Sequence, residues 1–135
     1  MSRDHRKLRV FAQADALVLL VYAETAIFPA DERFGLRAQV RRSAVSVPAN
    51  IVEGCAREKE GEYLQFINIS TGSAAETLYL LELSNRLGFL TSGAYQRLEP
   101  GYTILVKGLK KLQSALEAES ASAHSPRPKP QRPKA

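Results

Sequence analysis

Residues 28–57, Phe28-PADERFGLRAQVRRSAVSVPANIVEGCA-Arg57, decide the fold. Within this stretch Gln39, Ser43, Ser46, Asn50, Glu53 and Arg57 recur at spacings of four, three, four, three and four. On a helix that spacing places all six on one stripe. A second stripe is apolar, formed by Leu36, Val40, Ala44, Val47 and Ile51. A third carries small apolar residues, Ala38, Val45, Ala49, Val52 and Ala56. A surface helix of a monomer ordinarily has one apolar stripe and a solvated back. Two apolar faces beside an ordered polar seam predict a helix packed on more than one side, part of that packing being with another subunit. Pro29 with Asp31 and Glu32 suits a first helical turn, so the helix is expected to start near residues 29–31. Pro48 removes one backbone bond, yet the three stripes continue across it, which predicts a kinked but continuous helix.

Outward from this segment the same period recurs. Val10, Ala14, Leu17 and Val21 line one face of a helix expected over residues 8–27. A third helix is expected over residues 60–87, with Leu64, Ile67, Thr71, Ala74, Leu78 and Leu81 in line and Gly88 as its C-cap. Thr91 or Ser92 can cap a fourth, in which Tyr95, Leu98, Tyr102, Leu105, Leu109, Leu112 and Leu116 form a seam of the coiled-coil kind. Four long helices with short connections predict an all-α, antiparallel up-down-up-down four-helix bundle. Its domain is expected over residues 8–118, between a basic arm (1–7) and a disordered Pro-rich basic tail (119–135).

Composition bounds the chemistry. The chain has 135 residues, enough for one domain with its own core. A single cysteine, Cys55, excludes an internal disulfide, and both histidines, His5 and His124, lie near the ends. A histidine metal site, a Ser-His-Asp triad and a Glu-x-x-His di-iron bundle all lack their residues, so neither metal nor cofactor is expected. The segment MSRDHRKLRV has no apolar run of signal-peptide type, and the expected location is the cytoplasm. The net charge of +5 is unevenly placed: residues 1–10 carry +3, residues 120–135 carry +4 and the body carries −2. A uniformly basic nucleic-acid-binding body is therefore not expected, while local patches and the arms remain candidates.

The pattern FP..E.FGL..Q.RR...S.P.NI.EG..R, carried by Phe28, Pro29, Glu32, Phe34, Gly35, Leu36, Gln39, Arg41, Arg42, Ser46, Pro48, Asn50, Ile51, Glu53, Gly54 and Arg57, resembles the signature of the bacterial four-helix-bundle family encoded in intervening sequences of 23S rRNA genes. The likeness continues through Tyr63, Phe66, Gly72, Ser73, Glu76 and Leu87-Gly88-Phe89-Leu90, and covers roughly residues 8–116. It implies a ring-shaped homopentamer and an RNA-associated, non-enzymatic role. The accessory variability determinant of diversity-generating retroelements is similar in fold, which implies an alternative role as a protein-interaction adaptor, for example to a reverse transcriptase. The resembled adaptor is basic over its body, whereas this body is slightly acidic.

Two sets of residues are candidates for function. The polar seam of Gln39, Ser43, Ser46, Asn50, Glu53 and Arg57, with Glu76 on the third helix as a partner for Arg42 or Arg57, is in most proteins a structural network. An enzyme site built from Asn50, Glu53 and Arg57 is the least favoured reading, since ion-pair networks outnumber active sites. Arg37, Arg41, Arg42, Arg57 and Lys59 are candidate nucleic-acid contacts, because arginine pairs one helical turn apart can straddle phosphates. Their other role is an exposed solubilising face or an ion pair with Asp31, Glu32 or Glu58. The tail is a candidate for electrostatic, salt-sensitive contact with nucleic acid, but a solvated extension with no specific role is the commoner reading of such a segment.

Overall fold

The computed structural model describes residues 3–124, the last two by backbone alone. Four helices follow in chain order: α1 (Arg9–Thr25), α2 (Leu36–Cys55), α3 (Glu60–Arg86) and α4 (Ser92–His124). Each packs on its neighbours in sequence and α1 closes on α4, while the diagonal pairs do not meet. That is the four-helix bundle expected from the periodicity. The α2–α3 contact is the most extensive.

The core is built from the predicted stripes. Leu36, Val40, Ala44, Val47 and Ile51 of α2 are buried, as are Val10, Ala14, Leu17 and Val21 of α1. From α4 come Leu98, Tyr102, Leu105 and Leu109, all inaccessible to solvent. Pro48 is buried inside α2, and the helix runs through it without interruption. The apolar seam on both sides of the proline holds the helix together where one backbone bond is missing.

Two boundaries differ from the expectation. Residues Ala30–Glu32 form a separate 3-10 turn, and α2 proper starts only at Leu36. The acidic N-terminal signal is real but acts through space: Glu32 Oε2 accepts the Leu36 N–H at 2.8 Å and so caps α2 from four residues upstream. Gly35 makes room for it, because a Cβ there would lie 2.6 Å from that same carboxylate oxygen. At the other end of the chain α4 continues to His124, past the domain boundary expected at residue 118. Residues 118–123 (AESASA) contain three alanines and no proline, so helical propensity carries the helix beyond its last large apolar residue. The rest of the expected tail, residues 125–135, lies outside the described residues.

The ends of α3 and α4 follow the sequence signals. Gly88 has φ +80°, the left-handed geometry that favours glycine, and the Phe89 N–H reaches back to the Ser84 carbonyl at 3.0 Å. With the Gly88 N–H on the Asn85 carbonyl this makes a Schellman motif. Thr91 Oγ1 then accepts the Ala94 N–H at 3.1 Å and opens α4. Residues 3–7 are tied to the bundle and do not form a free arm. Residues 5–7 form a 3-10 turn capped by Asp4, and the Arg3 N–H donates to the Cys55 carbonyl at 2.9 Å. The Arg3 guanidinium stacks on Tyr63, 4.0 Å from the ring centre, which ties the N-terminus to the α2–α3 turn.

Candidate functional site

The polar seam divides into three parts. Its middle is a ladder of hydroxyls joining α2 to α3. Thr77 Oγ1 lies 2.9 Å from Ser43 Oγ, Ser46 Oγ lies 2.8 Å from Ser73 Oγ, and Ser70 Oγ donates to the Val47 carbonyl at 2.8 Å. Asn50 Nδ2 closes the ladder on Ser46, 2.8 Å from its carbonyl and 2.9 Å from its hydroxyl. Small hydroxyl side chains let the two helices approach closely while satisfying one another's polar atoms. Gly54 extends that close approach: a Cβ there would meet the Phe66 Cβ at 2.9 Å and the Tyr63 ring at 3.2 Å. Gly54 is therefore a packing contact between α2 and α3.

The lower end of the seam faces solvent. Arg57 pairs with Glu53 one turn earlier and stacks on Phe66. Both partners are about half exposed, so this is a surface pair. At the upper end the seam opens into a groove of about 460 Å³ at the start of α2, lined by Phe34, Gly35, Ala38, Gln39, Arg42, Ser43, Ser46, Ser73 and Glu76. Glu76 reaches neither Arg42 nor Arg57 as an ion pair among the described residues, contrary to the expectation of a cross-bundle bridge. Arg42 and Glu76 instead face the same groove from α2 and α3.

The five candidate cations also separate. Arg41 is committed inside the chain. Its Nε donates to Thr25 Oγ1 at 3.0 Å, its Nη2 to the Tyr22 carbonyl at 3.0 Å, and its guanidinium lies 4.4 Å from the centre of the Tyr22 ring. It is a clamp between α1 and α2. Arg57 is taken by Glu53 and Phe66. The side chains of Arg37, Arg42 and Lys59 carry no hydrogen bond or ion pair among the described residues. Site residues that were not among the sequence candidates are Phe34, 85% exposed at the lip of the groove, and Ser70, Ser73 and Thr77, the α3 half of the ladder. Ser70, Ser73 and Thr77 recur at spacings of three and four, a polar line on α3 whose partner on α2 is assigned only once the helices are paired.

Cys55 is 1% exposed, and burial pushes its thiol above the ordinary range, with Arg3 opposing that shift. Among the described residues no group of three or more histidine, cysteine or acidic side chains is placed to hold a metal ion. No helix among them is long and apolar enough to cross a membrane.

A closed ring of four antiparallel helices, two of them cemented by a hydroxyl ladder, defines the chain as a four-helix-bundle protein. The sequence profile of the 23S rRNA-intervening sequence protein family matches residues 6–111, and the chain belongs to that family. Among solved structures it is similar to a protein with unknown function from the S23 ribosomal protein family of Bacteroides thetaiotaomicron VPI-5482. The two share 24% identity and superpose with a TM-score of 0.71, over 77% of this chain and 97% of the other. That likeness carries the fold. No curated protein matches the chain significantly.

Proposed function

We propose that the chain is a non-catalytic, self-assembling bundle protein that associates with RNA in the cytoplasm. The observation that carries the assembly half is the outward face of α2. Val45 and Val52 are 39% and 37% exposed, and Ala49 and Ala56 beside them are exposed too. A stripe of small apolar residues on the outside of a bundle is suited to close packing against another copy. The family resemblance supports five copies in a ring. The non-catalytic half rests on the seam itself: its hydroxyls and Asn50 are spent on one another, and its only charged pair is a solvated one. RNA association draws on the family's description as 23S rRNA-intervening sequence proteins and on the unpaired cations Arg37, Arg42 and Lys59.

Two measurements test this reading. Native mass spectrometry of the purified chain should give a single homo-oligomer, and a monomer at micromolar concentration would overturn the assembly half. UV cross-linking in the native cells, followed by sequencing of attached RNA, should recover RNA both from the full chain and from a form truncated after His124. Recovery lost with the truncation would transfer binding to residues 125–135. No recovery in either form would overturn RNA association and leave a protein-interaction adaptor as the account of the bundle.

A further inference from the structure

We propose that the groove at the start of α2 is a guanine pocket, in which the base stacks on Phe34 and is read on two edges by Arg42 and Glu76. This inference rests on the RNA-associated reading and gives it a site. Three observations converge. First, Phe34 is 85% exposed, although an aromatic ring of that size gains most from burial. Arg33 covers part of it, with its guanidinium carbon 4.8 Å from the ring centre, and the remainder offers a platform for a flat partner. Second, Arg42 and Glu76 carry opposite charges, face one groove, and their side chains bond neither to each other nor to any other described residue. A ligand that bridges them must present acceptors to one and donors to the other. Third, the volume of about 460 Å³ falls in the range of small-molecule sites, and its floor is polar, with Ser43, Ser46 and Ser73.

Guanine fits this arrangement better than the other bases. Its O6 and N7 form the acceptor pair that arginine meets bidentately. On the adjoining Watson–Crick edge N1–H and the exocyclic amine form two parallel donors, which match the two oxygens of a carboxylate. Adenine presents a donor where guanine has O6. Cytosine and uracil offer a carboxylate a single donor. The shared chemistry is the base, whether it arrives as a free nucleotide or as an unstacked residue of a single-stranded RNA.

The test uses the full chain and two kinds of probe. In calorimetric titrations GMP should bind, IMP (which lacks the exocyclic amine) should bind about tenfold more weakly, and AMP and CMP weaker still. Glu76→Gln should erase the preference for GMP over IMP, and Phe34→Ala should weaken GMP about tenfold or more. Both positions are exposed, so circular dichroism should show an unchanged fold. In fluorescence anisotropy, an oligouridine carrying one guanosine should bind more tightly than the same strand carrying inosine. No GMP binding, or GMP binding indifferent to both substitutions, overturns the pocket. Oligonucleotide binding indifferent to guanosine overturns the pocket and leaves RNA association standing. GMP discrimination without oligonucleotide binding upholds the pocket as a free-nucleotide site and removes the RNA reading on which it was built.

Discussion

Single residues in this bundle answer to neighbours that their own sequence position does not reveal. Gly54 is one. With Phe66 Cβ at 2.9 Å from the place a methyl group would occupy, Gly54→Ala must push α2 and α3 apart, since the opposing atom sits at the root of its side chain. We expect a loss of about 1–3 kcal/mol, read as a lowered urea midpoint. Tyr102 shows the reverse case. Its ring is fully buried in the core, its hydroxyl has no hydrogen-bond partner among the described residues, and burial pushes its pKa far above the ordinary tyrosine value. Removing an unsatisfied buried hydroxyl relieves its desolvation, so Tyr102→Phe should raise stability by about 1 kcal/mol in the same measurement. Arg41 was a reasonable nucleic-acid candidate by sequence. Its donors end on Thr25 and Tyr22, sixteen and nineteen residues away, and no helical spacing within α2 encodes that clamp.

Helices were legible where one face decides them and misplaced where an end is decided by a single contact. The apolar periods of α1, α3 and α4 set their cores, and Gly88 and Thr91 mark the α3–α4 turn by their own chemistry. The start of α2 was not legible, because Glu32 caps the helix from outside it and its residues resemble a first turn. Between helices, the Ser46–Ser73 bond should behave as a unit. Ser46→Ala and Ser73→Ala should each destabilise, and the double variant should cost less than the two singles together, because no hydroxyl is then left without its partner. Thermal unfolding of the four proteins measures that coupling, and strict additivity would show the bond to be inert. The α1–α4 contact carries a different linkage. Arg97 meets Glu24 with two hydrogen bonds, 2.7 and 3.0 Å long, which hold the Glu24 carboxyl below its ordinary value of 4.5. A depressed carboxylate stabilises the fold above its unfolded pKa and loses that contribution as pH falls through its folded pKa. Glu24→Gln should therefore lower the melting temperature at pH 7, and the difference from the parent chain should shrink progressively below about pH 4.5.

For the whole molecule, the architecture was readable because four long amphipathic patterns with short connections admit few arrangements. The groove was not, because Phe34, Arg42 and Glu76 converge only after α2 and α3 have been paired. Assembly belongs to this scale as well. Val45→Glu with Val52→Glu places charge on the outward face of α2 without touching the core, and should convert the oligomer to monomers in native mass spectrometry with the helical signal intact. The closing contact between α1 and α4 has one more outcome. Because Val10 and Leu112 flank a second groove, between α1 and α4, the first helix begins and the last helix ends at one pole of the bundle. In the sequence, the residues before α1 carry a net +2 and those after α4 a net +4. Rotational symmetry would set every copy of this pole on the same rim of a ring. In the proposed ring, a polyanion bound through several copies of these basic residues would be held by many weak contacts at high effective concentration, and its retention would rise steeply with the number of subunits.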